Sequence, residues 1–168
     1  GELQKIITRE AQAWSRGPRT IAHRNPRMKL LVAIDGSENS LRAARFAASL
    51  LGQLRNPGSI TLISVHDDVA LRNARRFVGK QVVDEYLRDL SEQDLAGARE
   101  LLDGLEIAHD QIIRIGAIAN EIAQAADPDQ FAMVVLGSKG RTGLRDLLIG
   151  SVARRVSEIS RIPVLLVK

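Results

Sequence analysis

The residues best equipped for chemistry lie between positions 137 and 151, where Gly137-Ser138-Lys139-Gly140-Arg141-Thr142-Gly143 is followed by Gly150-Ser151. Glycines lack a β-carbon, so their backbone N–H groups can approach an anion closely. Lys139 and Arg141 add positive charge, and Ser138 and Thr142 add hydroxyls, which gives the segment the means to hold a phosphate. A glycine-rich loop alone is weak evidence, because a flexible connection with a chance basic pair reads the same way. A second candidate is Asp35-Gly36-Ser37, directly after the apolar run Leu30-Leu31-Val32-Ala33-Ile34. Asp35 can reach a ribose from the end of a strand or cap the helix that follows. Ser151 can meet a ligand or bond backward along its helix.

Other chemistries lack their residues. No Gly-x-x-x-x-Gly-Lys-Ser/Thr run is present, no Gly-x-Gly-x-x-Gly follows the first strand, and that strand does not end in the Ser-Gly-Gly-x-Asp-Ser loop of pyrophosphatase-type adenylating enzymes. The chain has no cysteine, which excludes disulfides, thiolate metal ligands and cysteine nucleophiles. His23, His66 and His109 share no ligand spacing, so no metal site is read. His66 precedes Asp67 and Asp68 and is expected as a solvated loop residue, although it could edge a pocket at the end of strand two. Asp67-Asp68 and Asp127-Pro128-Asp129 read as turns, and the arginine-rich run 72–76 as a solvated face.

The elements that must position these residues alternate along the chain. The run 30–34 reads as a buried strand, and Leu41, Ala44, Ala48 and Leu51 recur at helical spacing behind a cap at Ser37 or Asn39. A strand at 60–65, a polar stretch and a long helix from about Gln81 to Gly104 follow. Then come a strand at 111–115, a short helix holding Ile118, Ile122 and Ala126, and a strand at 131–136. A helix carrying Leu147, Leu148, Val152, Val156 and Ile159 and a strand at 164–167 complete the series. Gly150 falls inside that helix pattern, where glycine costs about 1 kcal/mol against alanine. The helix proper could instead begin near Gly150, its first N–H groups facing an anion. This order implies an α/β domain, a doubly wound parallel sheet with helices on both faces, whose ligands bind beyond the carboxyl ends of the strands.

Composition sets further bounds. The 168 residues are 45% apolar but only 3% aromatic, an aliphatic mixture suited to helices on a parallel sheet. No apolar stretch approaches the roughly 20 residues of a membrane span, and the chain reads as soluble, unexported and suited to the cytoplasm. Residues 1–27 hold six Lys/Arg against two Glu, and the remainder balances at eighteen of each sign. The basic excess thus belongs to an N-terminal arm without a nucleic-acid platform, and no specific nucleic-acid binding is expected. Leu3, Ile6, Ile7 and Trp14 give that arm one apolar helical face before Gly17-Pro18, for docking on the domain or on a partner.

The full spacing adds a resemblance. Gly137, two residues, Gly140, nine residues and Gly150-Ser151 follow the nucleotide-binding pattern of the universal stress protein family. Val32-Ala33-Ile34-Asp35-Gly36-Ser37, Gly116-x-x-x-Asn120-Glu121-Ile122 and Arg161-Ile162-Pro163-Val164-Leu165-Leu166-Val167 also resemble that family, over residues 28–168. The resemblance implies a five-stranded sheet ordered 3-2-1-4-5 and a site for ATP, or for AMP or ADP, between strands one and four. It places Asp35 at adenine and ribose, with Ala33 and Ile34 beside it and the main chain of Val65 on adenine. Gly137, Lys139 and Gly140, with the charge of Arg141, then flank ribose and phosphates, and Gly150, Ser151 and Val152 hold the phosphate tail, Mg2+ accompanying a triphosphate. The implied role is regulatory, with hydrolysis slow at most and no catalytic residue named. A homodimer through the 164–167 edge is implied, and the alternative is a dimeric module for an unidentified protein partner that leaves nucleotide unused.

Overall fold

In the computed structural model, residues 27–140 and 149–168 are described. The arm read at residues 1–27 therefore lies outside the described residues but for Arg27, as do Arg141, Leu147 and Leu148. The elements are β1 (Lys29–Ala33), α1 (Glu38–Gly52), β2 (Ser59–His66), α2 (Arg72–Val78), α3 (Lys80–Gly104) and β3 (His109–Ile115), then α4 (Ile118–Ala125), β4 (Met133–Gly137), α5 (Ser151–Ile159) and β5 (Val164–Val167). The strands form one five-stranded parallel sheet in the order β3-β2-β1-β4-β5.

Helices on both faces explain why β1 reads as a continuous apolar run instead of an alternating one. Its residues alternate between two cores. Leu30 and Val32 pack with Ala43, Ala44 and Ala47 of α1 and with Leu95, Ala98 and Leu102 of α3. Leu31 and Ala33 pack with Ile122 and Ala125 of α4 and Val156 of α5. The small alanines of α1 let that helix lie close to the sheet. β1 pairs with β2 on one side and β4 on the other, so the order reverses beside β1 and leaves a crevice at the carboxyl ends of β1 and β4.

Some boundaries differ from the sequence reading. The polar stretch after β2 is a 3₁₀ turn (Val69–Leu71) followed by α2, started by Asp67 Oδ1 accepting from Val69 N and held by an Asp68–Arg75 ion pair. Phe131 precedes β4 because its N–H, with that of Gln130, is turned back onto the Asp127 carbonyl. The last helix begins at Ser151, the second of the two starts considered. Among the described residues no helix is long and apolar enough to cross a membrane.

Candidate functional site

The chain leaves β1 through a turn that satisfies itself. Gly36 takes φ +76°, a left-handed conformation that suits glycine, and a β-carbon there would stand 2.6 Å from Asp94 Oδ1. Ser37 is the cap of α1, its hydroxyl accepting from Ser40 N at 3.2 Å. The buried Ser40 hydroxyl donates to the Ser37 carbonyl at 2.8 Å. Asp35 Oδ1 accepts from both the N–H of Ser37, at 3.0 Å, and its hydroxyl. Ser37 thus caps the helix, and the Asp35 carboxylate braces the capping residue while lining the cleft.

The exit from β4 is built differently. A β-carbon at Gly137 would come to 2.9 Å of the Asn39 carbonyl carbon, so this glycine lets the first turn of α1 pass against the strand end. Ser138 N donates to the Val167 carbonyl, and Gly150 N to the Ser138 carbonyl, each at 2.7 Å, which closes the excursion between them at its base. Gly150 then caps α5 without a side chain, and Arg154 N to the Gly150 carbonyl, 3.0 Å, is the first bond of the helix. Ser151, Val152 and Ala153, whose N–H groups have no acceptor within the helix, line the cleft at the positive end of the helix dipole. The two exits meet at Gly140, where a β-carbon would lie 3.0 Å from Asp35 Oδ2.

Between them opens a cleft of about 300 Å³. Ala33, Ile34 and Asp35 enter it from β1, Val65 from β2, Gly137, Lys139 and Gly140 from the β4 exit, and Gly150, Ser151 and Val152 from α5. The structure thus brings together these ten residues read from the sequence, while the Ser138 side chain is buried and absent from the cleft lining, and Arg141 and Thr142 lie outside the described residues. The apolar end of the cleft is built by residues not singled out before, Ile63, Leu136, Ile118 and Ile122. The helical spacing of the last two in α4 was the available signal for them. Its polar end offers backbone donors, the Lys139 ammonium and the Asp35 carboxylate. A slot with one apolar and one donor-rich end suits a flat ring joined to an anion.

His66 corrects its expected place in a solvated loop. It ends β2 and borders the cleft, and its Nε2 lies 2.8 Å from Asp94 Oδ2, both side chains about 15% exposed. Strand alternation turns it to the α3 side, where Asp94 lies beside the buried stripe of Ser91, Leu95 and Ala98. Asp127 does act as turn chemistry, its Oδ1 accepting from Asp129 N at 3.0 Å.

The model of the universal stress protein family matches residues 26–168. This chain belongs to that family. Among its relatives, the universal stress protein YxiE of Bacillus subtilis is 30% identical over 145 residues, covering 83% of this chain and 98% of YxiE. The solved structure of MJ0577, a Methanocaldococcus jannaschii protein, superposes with a TM-score of 0.74 at 24% identity, covering 85% of this chain and 96% of that one. A universal stress protein family member from Arabidopsis thaliana, solved with AMP bound, superposes with a TM-score of 0.55 at 17% identity, over 84% and 91% of the two chains. At these identities the two structures speak for the fold. The five-stranded 3-2-1-4-5 sheet of this universal stress protein is the fold they share.

Proposed function

We propose that this protein binds ATP, or its relatives AMP and ADP, in the cleft between the ends of β1 and β4. The observation that carries the reading is the start of α5, where Gly150 supplies no capping side chain and the first N–H groups stand at the cleft wall. The AMP bound to a relative of similar fold supports an adenine nucleotide as the occupant. In this reading the ring lies against Ile63, Ile118 and the main chain of Val65, the ribose faces Asp35, and the phosphates lie between Lys139, Gly140 and the α5 start, with Gly137, Ala33, Ile34 and Val152 as walls. Arg141 adds charge to the phosphate end. Magnesium comes with a triphosphate and is held chiefly by the phosphates. The role is regulatory: bound nucleotide favours one conformation or assembly of a cytoplasmic homodimer, a population shift set by its differential affinity.

A second reading is favoured by β5, an edge strand whose four residues are only partly covered. It makes the protein a dimeric interaction module that pairs through Val164–Val167, takes a protein partner and leaves nucleotide unused. Denaturing extraction of the purified protein with mass spectrometry of released nucleotide, and calorimetric titration of ATP into wild type and Gly140→Val, separates the two. Recovered nucleotide, or binding that the valine abolishes in a folded variant, supports the first reading. An empty, folded wild type that takes up no ATP overturns it in favour of the second.

A further inference from the structure

Five of the eight large apolar side chains exposed among the described residues fall between positions 69 and 86, and none of them has a role in the cleft. Val69 belongs to the 3₁₀ turn packed on α2, Phe77 and Val78 end α2, and Val82 and Tyr86 lie one turn apart at the start of α3. Phe77 is 89% exposed and the other four more than half exposed. Single exposed apolar residues are ordinary, but five gathered around one helix corner indicate a covered surface.

We propose that this patch is the docking surface of the chain's own N-terminal segment, which lays Leu3, Ile6, Ile7 and Trp14 upon it. Two observations favour this occupant. These four residues share one apolar face at helical spacing, three aliphatic and one aromatic, to set against the three aliphatic and two aromatic side chains of the patch. The linker also reaches the near edge of the patch, from which an arm helix would continue along it. The chain enters β1 at the same end of the sheet at which α3 finishes, and Tyr86 stands 18 residues (104 − 86) before Gly104, about 27 Å along α3 at 1.5 Å per residue. The nine residues 18–26 span up to about 30 Å when extended. The inference is independent of the nucleotide reading.

Trp14 is the only tryptophan in the chain, so its fluorescence reports on the arm alone. In the full-length native protein its emission is expected at shorter wavelength than in denaturant, with acrylamide quenching reduced several-fold. Both differences are expected to vanish in Phe77→Glu/Val82→Glu, whose altered side chains are exposed and leave the unfolding midpoint in place, and in the reciprocal arm variant Ile7→Glu. Leu105→Glu, an equally exposed apolar position at the far end of α3, should change neither. A Trp14 already open to solvent in the native protein, or one still shielded in the patch variant, overturns the proposal. Mixing the patch variant with a Trp14→Phe chain that keeps its patch tests for exchange: restored shielding would assign the patch to a second copy's arm and overturn docking within one chain.

Discussion

Helix α1 leaves β1 through a turn whose donors and acceptors are taken up by Asp35, Ser37 and Ser40, whereas α5 starts after β4 behind a glycine that offers its first N–H groups nothing. The two helices flank the same crevice, from neighbouring strands, with N-termini at the same end of the sheet. At the first, a side-chain cap holds the Ser40 N–H and the Asp35 carboxylate holds the cap. At the second, no side-chain cap stands at Gly150, and among the described residues the positive end of the helix dipole is left to face the cleft, which suits a phosphate. The proposed function rests on this difference: the uncapped start is the one assigned to the ligand and the capped one to its scaffold.

The largest expected effect comes from closing the gap between the two exits. In Gly140→Val the β-carbon meets the Asp35 carboxylate and the methyls extend into the cleft, so ATP affinity should fall at least 100-fold, about 3 kcal/mol, in a protein that still folds. Calorimetry with far-ultraviolet circular dichroism checks both halves. Next, Gly137→Ala drives a β-carbon into the backbone of Asn39 and should destabilise the fold by about 1–3 kcal/mol in urea unfolding. Unchanged stability would mean that this glycine serves the ligand instead of the packing. Removing the closed cap by Ser37→Ala should cost about 1 kcal/mol of stability while ATP affinity falls severalfold at most. A larger loss of affinity than of stability would break the division between scaffold and ligand end.

The smallest effect lies away from both exits. Asp84 is held below the ordinary carboxylate value of 3.8, chiefly by its hydrogen bond from Lys80 and then by the charges of Lys80, Arg75 and Arg88. A lowered carboxylate contributes stability above its unfolded value, which is lost as the pH falls through the folded one. Asp84→Asn should therefore lower the unfolding midpoint slightly at neutral pH, less so in high salt, and by a shrinking amount as acid protonates the Asp84 carboxylate in the folded protein. An equal difference at all pH values would remove the ion pair as its cause.

Much of this layout was legible because it is local. The β1 run, the helical spacing of Ala44, Ala48 and Leu51, and the glycines at 137, 140 and 150 each carry their meaning within a few residues. What escaped depends on contacts between distant residues. His66 meets Asp94 across 28 positions, and the partner that makes Gly137 necessary is Asn39, on another helix. Helix α2 was missed because its seven residues are too few for a clear period and its start rests on Asp67 and an Asp68–Arg75 ion pair.

The most direct test of the central claim is a titration of ATP and of adenosine into wild type and Gly150→Asp. Among the described residues a β-carbon at position 150 meets no atom closer than 3.5 Å, so the aspartate is expected to fit and to give α5 the cap that α1 already has. Stability should stay level or rise by a few tenths of a kcal/mol. Wild type should bind ATP more tightly than adenosine, and the variant should lose that difference while keeping its adenosine affinity. An ATP advantage that survives Gly150→Asp would contradict the assignment of the phosphates to the start of α5.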